Sequence, residues 1–224
     1  MESGKEELSP RLQTVSSLIP ASDVVIDVGS DHGKLGAFCL LENRCRYLIA
    51  TDIHEAPARR TADLLRLKGL EHRSRVFCTD GLSGLEIGED TTIVIAGMGG
   101  LEIRKILQSL LEDTGGILPC GITFVLQPQR SFYELRSFLA QYGLRIRKEA
   151  ISFERNHFYT VMQAIPDEET QELSDAELFL GPCLLKEKPQ FFDEYMEHQR
   201  KLLEKQALGD ERCREILDKW EDFL

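Results

Sequence analysis

The sequence predicts an α/β protein built on a doubly wound sheet and followed by a helical C-terminal region. Short apolar runs alternate with amphipathic segments over the first three quarters of the chain. Strands and helices that alternate at this spacing form right-handed parallel crossover units. At Pro166 the pattern changes to a polar stretch that leads into helical periodicity. We therefore expect a sheet domain over residues 1–166 and a helical appendage over residues 167–224.

Each strand of the predicted sheet is a short run of apolar residues. Continuous apolar runs of this length are typical of parallel strands buried on both faces. They occupy residues 24–29, 47–53, 75–81, 91–100 and 122–128. Two alternating runs, 144–154 and 157–165, flank Asn156 and are predicted to close the sheet as a strand pair.

Capping signals and apolar periodicity predict helices between these strands. Ser9 and Pro10 form an N-cap and first-turn pair that starts a helix ending at Pro20. Further helices are expected over residues 34–43, up to Gly69, around residues 103–111 and over residues 132–143. The C-terminal region predicts a helical hairpin beyond Pro189, packed through Phe191, Tyr195, Leu202, Leu203, Ile216, Leu217 and Trp220.

The composition excludes several classes of protein. Of the 224 residues, 42% are hydrophobic and 29% charged, and no apolar run is long enough to span a membrane. The N-terminal segment is too polar for a secretory signal. The six cysteines show no CxxC pair and no Cys/His spacing that would bind zinc. We therefore expect a reduced, cytoplasmic, metal-free protein that does not bind membranes and is a monomer.

The net charge of −11 argues at first sight against nucleic acid as a partner, but it is unevenly distributed. Residues 167–224 contain 17 acidic and 8 basic residues, a net charge of −9. Residues 1–166 contain 21 acidic and 19 basic residues, a net charge of −2. The sheet domain is therefore nearly neutral and can carry a basic face.

The segment DVVIDVGSDHGKL, residues 23–35, places polar residues at the end of the first predicted strand. In doubly wound sheets, ligands bind beyond the carboxyl ends of the strands. Gly29 lets the backbone approach a ligand, and Asp27 is placed to hold the loop or the ligand. The spacing of Gly29, Gly33 and Gly36 does not match the GxGxxG pyrophosphate motif, which disfavours an NAD-linked oxidoreductase.

Acidic residues also follow the second and third predicted strands. Asp52 ends the second strand, where a carboxylate can accept hydrogen bonds from ribose hydroxyls. Asp80 and Gly81 follow the third strand, where an acceptor suits the amino group of an adenine. A ligand without phosphate groups needs no phosphate-binding loop. The acids at three successive strand ends therefore predict S-adenosylmethionine (SAM) as the cofactor.

Several motifs taken together resemble one known family. RLQTV, IDVGSDHGKL, TDGL, IVIAGMGG and LQP occur in this order and resemble the bacterial TrmK family of SAM-dependent tRNA (adenine(22)-N(1))-methyltransferases. The resemblance runs from about Arg11 to Ile165. It implies a Rossmann-like class I methyltransferase domain, a C-terminal helical pair, S-adenosylhomocysteine as the product and tRNA as the substrate. The sequence departs from the family pattern at Gln129 and in the GKLG segment that starts at Gly33.

The resemblance and the strand-end positions together assign roles to individual residues. Asp31 and His32 are expected to be catalytic. Cofactor binding is assigned to Asp27, Gly29, Ser30, Asp52, Ile53, Asp80, Gly81, Ala96, Gly97 and Met98. Substrate binding is assigned to Arg11, Gly99, Gly100, Gln127, Pro128 and Tyr159.

The chemistry of adenine N1 methylation explains these assignments. The N1 lone pair is available at neutral pH, so attack on the methyl group needs no strong base. Positive charge develops on the adenine, and Asp31 is placed either to stabilise it or to bind the methionine ammonium group of SAM. His32 can orient the base or accept a proton from N6. The base must leave its stack, because N1 lies on the pairing edge.

Two other functions are compatible with the residues alone. One is a SAM methyltransferase that acts on a small molecule. The other is a non-catalytic nucleotide-binding module whose helical tail docks a partner.

Overall fold

The computed structural model describes residues 8–224, which form a seven-stranded sheet with helices on both faces. The strands are β1 Ser22–Val28, β2 Cys45–Asp52, β3 Ser74–Cys78, β4 Thr91–Met98, β5 Thr123–Pro128, β6 Leu144–Glu154 and β7 His157–Pro166. Their order is β3-β2-β1-β4-β5-β7-β6; β1 to β5 pair in parallel, and β7 is antiparallel to both neighbours. The predicted doubly wound sheet is confirmed.

The helices over residues 8–224 are α1 Pro10–Ser17, α2 Lys34–Leu41, α3 Glu55–Leu67, α4 Gly100–Asp113, α5 Phe132–Gln141, α6 Asp175–Leu180, α7 Pro182–Glu187, α8 Phe192–Gln206 and α9 Glu211–Asp218. The predicted start of α1 is confirmed, because the Leu12 N–H donates to the Ser9 hydroxyl and Pro10 occupies the first helical position. No helix in this part of the chain has both the length and the apolar character needed to cross a membrane.

The helices bury the two faces of the sheet in separate apolar layers. Ile103 and Leu107 of α4 and Phe138 of α5 pack on one face. Val15 of α1 and Leu65 of α3 pack, with α2, on the other face. The strands between the layers are therefore buried on both sides, which explains why they read as continuous apolar runs.

The strand order reverses between β1 and β4, which are neighbours in the sheet. From β1 the chain crosses through α2 toward β2 on one side, whereas β4 continues through α4 toward β5 on the other. The loops that follow β1 and β4 therefore diverge and leave a cleft above their carboxyl ends.

The C-terminal region contains four α-helices and a short 3-10 helix, Trp220–Phe223, whereas the sequence predicted a hairpin of two helices. The hairpin itself is present as α8 and α9, and it is preceded by α6 and α7. Ser174 and Glu177 cap α6 reciprocally, a local signal that the polar composition of the segment concealed. Leu202, predicted to pack inside the hairpin, is 39% exposed, while its neighbour Leu203 is buried.

A buried ion pair joins this C-terminal region to the sheet domain. The Arg136 Nε donates to Glu149 Oε1 at 3.0 Å, and both side chains are fully buried. Arg136 Nη1 also donates to the carbonyl oxygens of Leu178 and Phe179, and the Cys183 N–H donates to Glu149 Oε2. Backbone groups of α6 and α7 therefore add hydrogen bonds to a pair that belongs to α5 and β6, while Arg136 Nη2 has no hydrogen-bond partner within residues 8–224.

Candidate functional site

A cleft of about 1620 Å³ lies beyond the carboxyl ends of β1 to β4. Its walls are the loop after β1, the end of β2, the loop after β3, the end of β4 and one side of α4. Most of the predicted site residues line it, namely Arg11, Asp27, Gly29, Ser30, Asp31, His32, Asp52, Ile53, Asp80, Gly81, Ala96, Gly97 and Met98. The fold thus brings together residues that lie far apart in the sequence.

Asp27 is a buried carboxyl group at the floor of the cleft, near the end of β1. Burial raises the pKa of Asp27 from 3.8 to about 7; the Gly36 backbone N–H opposes this rise, and the negative charge of Asp52 adds to it. A cation bound in the cleft would favour the ionised form of this group.

The loop after β1 has a backbone shape that depends on glycine. Gly29 has a φ of +72°, and its N–H and that of Ser30 both donate to the Thr51 carbonyl at the end of β2. A Cβ atom on Gly33, where φ is +67°, would lie 2.7 Å from Thr61 Cγ2 and 3.2 Å from Thr61 Cα. The loop is therefore held against both β2 and α3.

Asp52 holds its carboxylate in a fixed orientation at the end of β2. Its Oδ1 accepts the His54 N–H at 3.0 Å, and its Oδ2 accepts the Asp31 N–H at 3.3 Å. Each oxygen keeps a lone pair that can accept a hydroxyl. Beyond β3, Gly81 accepts the Thr51 hydroxyl at 2.9 Å, and Asp80 is exposed beside it.

Asp31 directs its side chain toward α3. Its Oδ1 accepts Arg60 Nη2 at 2.9 Å, and its Oδ2 lies 3.5 Å from His32 Nε2. The residue itself has a φ of +49°. Asp31 also lines the cleft, so the expectation that it lies near the methyl group and the incoming base stays a prediction.

The predicted substrate residues Arg11, Gln127 and Tyr159 meet at the opposite side of the cleft. Arg11 Nη1 donates to Gln127 Oε1 at 2.8 Å, and the guanidinium carbon lies 5.8 Å from the centre of the Tyr159 ring. The Arg11 backbone N–H donates to Glu154 Oε2 at 3.0 Å. Burial raises the pKa of Glu154, but hydrogen bonds from Arg11 and Ser9 outweigh it, so the pKa lies below its ordinary value.

The end of β4 forms a glycine bulge between the two sides of the cleft. Ala96 pairs with Gln127 and Met98 with Pro128, so Gly97 is an extra residue in the ladder and has a φ of +84°. A Cβ atom on Gly29 would lie 2.3 Å from Met98 Cε, which shows that the Met98 side chain covers the loop after β1.

Five residues predicted to bind the substrate do not line the cleft: Gly99, Gly100, Gln127, Pro128 and Tyr159. The two glycines are buried at the start of α4. A Cβ atom on Gly100 would lie 2.4 Å from the Ser131 carbonyl oxygen, so this glycine allows α4 to approach the turn after β5. Gln127 and Tyr159 lie behind the lining and contact Arg11, which does line the cleft.

Many residues of the cleft lining were not among the predicted site residues, and Gln129 and Glu154 are two of them. Gln129 and Glu154 line the cleft, whereas Arg60 contacts it through Asp31. Applying the strand-end rule to β5 and β6 would have indicated Gln129 and Glu154. Arg60 has no local signal, because its partner lies 29 residues away.

The chemistry of the cleft fits SAM. The carboxylates of Asp27, Asp52 and Asp80 line one wall, and together they favour a ligand with hydroxyl groups and positive charge over one with phosphates. Gly29 lets backbone approach such a ligand, and Ile53, an apolar side chain that is 58% exposed, offers a surface for an adenine ring.

Comparison with known proteins gives a consistent result. A relative from Bacillus subtilis (strain 168) named tRNA (adenine(22)-N(1))-methyltransferase is 29% identical over 228 residues, covering 97% of this chain and 94% of the relative. The crystal structure of the B. subtilis m1A22 tRNA methyltransferase TrmK has a TM-score of 0.75 at 29% identity, covering 96% and 95% of the two chains. A Streptococcus pneumoniae protein crystallised with S-adenosyl-L-methionine has a TM-score of 0.80 at 27% identity, covering 94% and 100%.

The comparison also gives a family. The family model described as TrmK, tRNA (adenine(22)-N(1))-methyltransferase, matches residues 25–215, which include part of β1, all of β2 to β7 and most of the C-terminal helices. The chain therefore belongs to the TrmK family of SAM-dependent tRNA adenine-N1-methyltransferases.

Proposed function

We propose a division of roles within the cleft for the transfer of a methyl group from SAM to N1 of adenine 22 in tRNA. The observation that carries it is the meeting of the acids near the ends of β1, β2 and β3 with the glycine bulge that ends β4. The acidic side suits the cofactor, and the bulge leaves room for a planar base.

The cofactor occupies the side of the cleft formed by β1, β2 and β3. Asp52 accepts hydrogen bonds from the ribose hydroxyls, because its carboxylate is already oriented by two backbone N–H groups. Asp80 and Gly81 border the adenine, and Ile53 packs against it. Gly29 and Ser30 approach the methionine end, where the buried Asp27 balances positive charge.

The reaction depends more on the orientation of the target adenine than on a proton acceptor. Bound SAM supplies an electrophilic methyl group on a sulfonium centre. Ala96 and Gly97 line the cleft, where the methyl side chain of the first and the missing side chain of the second leave room for the base. Their backbone oxygens would face the positive charge that develops on the adenine. The orientation of Asp31 toward Arg60 favours a role in holding the cofactor, and His32 stands at the cleft mouth, where it can accept a proton from N6.

The target nucleotide enters on the side of Arg11. Gln127 and the Tyr159 ring fix the Arg11 guanidinium, which retains N–H groups that can donate to the target nucleotide. The side chains of Arg130 and Arg155, 77% and 90% exposed, flank this side and are placed to contact phosphates.

The C-terminal region, residues 167–224, supports the target side of the cleft. It packs against the β6–β7 pair through Ile151 and Phe158 on one face, while Glu154 and Tyr159 of the same pair face Arg11. We propose that the region orients tRNA by this support and takes no part in the chemistry. We further propose that the protein acts as a monomer in the cytoplasm, where its tRNA substrate is found.

Methyl transfer from labelled SAM to unmodified tRNA, followed by nucleoside analysis, tests the proposal. We expect 1-methyladenosine, and none in a transcript whose adenine 22 is replaced by guanosine. SAM at a hundred times its dissociation constant should also stabilise the fold by about 2.7 kcal/mol. Stabilisation by SAM without any methylation of RNA would instead favour a small-molecule substrate or a non-catalytic nucleotide-binding module.

A further inference from the structure

Gln129 occupies the turn between β5 and α5, at the rim of the cleft. Its backbone N–H donates to the Met98 carbonyl at 2.8 Å, so the turn is fastened to the end of β4. Its side chain is exposed and lines the cleft. The position of the residue is therefore set by the backbone, while its amide group extends from that fixed point.

The Gln129 amide and the Arg11 guanidinium both lie close to Gly97. A Cβ atom placed on Gly97 would lie 3.6 Å from Arg11 Nη1 and 4.0 Å from Gln129 Nε2. Gly97 is the bulged residue at the end of β4, where the cofactor side and the target side of the cleft meet. A planar base above Gly97 would have both side chains at its edges.

The side chains of Arg11 and Gln129 differ in the number of contacts that they already make within the protein. Arg11 donates to Gln127 Oε1 and contacts the Tyr159 ring. Within residues 8–224, the Gln129 amide has no hydrogen-bond partner. It offers one acceptor and two donors to whatever enters the cleft.

A glutamine amide matches adenine and not guanine. It can accept from the adenine N6 amino group and donate to N7, a bidentate contact that leaves N1 free. Guanine presents two acceptors, O6 and N7, on the same edge, so one half of the contact fails. The side chain suited to guanine is arginine, and Arg11 is held by Gln127.

We infer that Gln129 is a specificity-determining residue that reads the N6 and N7 edge of the target adenine. This inference rests on the proposed function and adds to it the edge by which the base is recognised. It explains how the base can be gripped without blocking the atom that receives the methyl group.

The test combines an atomic change in the base with a change in the side chain. Transcripts carry adenosine or 7-deazaadenosine, which lacks the N7 acceptor, at the target position. With the unaltered protein, 7-deazaadenosine should lower kcat/KM on the order of tenfold to a hundredfold. Gln129→Ala should lower kcat/KM for adenosine by a similar factor, and the loss of N7 should then have no further effect. Gln129→Glu keeps the acceptor for N6 and should also be insensitive to N7.

The matched control is Gln141→Ala, an exposed glutamine at the end of α5 that is remote from the cleft lining. It should retain both full activity and the full 7-deazaadenosine penalty. SAM affinity should be unchanged in all variants, which also shows that they are folded.

The outcomes separate two kinds of failure. If the unaltered protein methylates both transcripts equally, or if Gln129→Ala retains the 7-deazaadenosine penalty, Gln129 does not read N7 and the inference is overturned. If the unaltered protein does not methylate the adenosine transcript, the proposed function itself fails.

Discussion

The Asp31 backbone N–H donates to Asp52 Oδ2 at 3.3 Å and ties the loop after β1 to the end of β2. The other oxygen of the same carboxylate accepts the His54 N–H at 3.0 Å. Asp52 is 9% exposed, so it faces a ligand with its orientation already set. Such preorganisation lowers the entropy lost when ribose hydroxyls bind.

Replacing Asp52 with alanine should weaken SAM binding by about 1.5–3 kcal/mol, because charged hydrogen bonds to the ribose are lost. Isothermal titration calorimetry measures the change directly. Asp63→Ala is the matched control, since Asp63 lies on α3, outside the cleft lining, and pairs with the exposed Arg66 at 2.8 Å. Equal SAM affinity in the two variants would show that Asp52 does not bind the cofactor.

Replacing Asp31 with asparagine keeps the shape of the loop and removes the charge that faces Arg60. Because the role proposed for Asp31 is to hold the cofactor, we expect SAM affinity and kcat/KM to fall together. Calorimetry and single-turnover methylation on the same variant measure both. A loss of turnover at unchanged SAM affinity would instead assign Asp31 to the developing positive charge on the adenine.

SAM affinity should depend on pH through Asp27, whose pKa is raised to about 7. The apo protein holds a proton on Asp27 between pH 4 and 7, where the unfolded chain does not, so this group lowers the free energy of unfolding as pH rises through that window. Bound positive charge favours the carboxylate, and SAM should therefore bind up to about tenfold more tightly at pH 8 than at pH 6.

Asp27→Asn is the control for this pH effect. It cannot ionise, so the proton released on SAM binding, measured by calorimetry in buffers of different ionisation enthalpy, should disappear. Persistence of the same proton release in this variant would assign it to another group, such as a histidine at the cleft mouth.

Glu149→Gln should destabilise the fold by about 3–5 kcal/mol, because it leaves the Arg136 charge buried without its partner. Urea unfolding measures the difference, and Glu134→Gln, an exposed change on α5, should have little effect. Replacing Arg136 and Glu149 together by apolar residues should restore much of the loss. If Glu149→Gln is as stable as the unaltered protein, the ion pair contributes nothing to the packing of α6 and α7 on the sheet.

The same ion pair changes how the C-terminal region can be tested. A truncation near Pro166 removes the carbonyl groups of Leu178 and Phe179 and the Cys183 N–H that coordinate Arg136 and Glu149. It would therefore expose a charged pair and an apolar surface, and lost tRNA methylation would not separate tRNA binding from folding.

Local patterns predicted the sheet well because each parallel strand is a buried apolar run with its own turn signals. The same reasoning missed α6 and α7, although Ser174 and Glu177 form a capping box, because the segment is polar. It placed Gly99 and Gly100 in the substrate site, whereas the structure buries both glycines against the turn after β5. Glycines required for close packing and glycines required for ligands look alike in sequence.

The sequence alone determined which polar and small residues stand at each strand end: an acid and a glycine near the end of β1, an acid at the end of β2, an acid after β3 and the small residues Ala96 and Gly97 near the end of β4. These are local features, and the rule that parallel strands place their carboxyl ends at one edge is enough to group them. Only the tertiary structure decided which way Asp31 faces, that Arg11 meets Gln127 across 116 residues, and that Gln129 stands beside Gly97. Side-chain direction and long-range partners depend on how α1, α3 and the β5–α5 turn pack on the sheet, and residue periodicity carries no record of that packing.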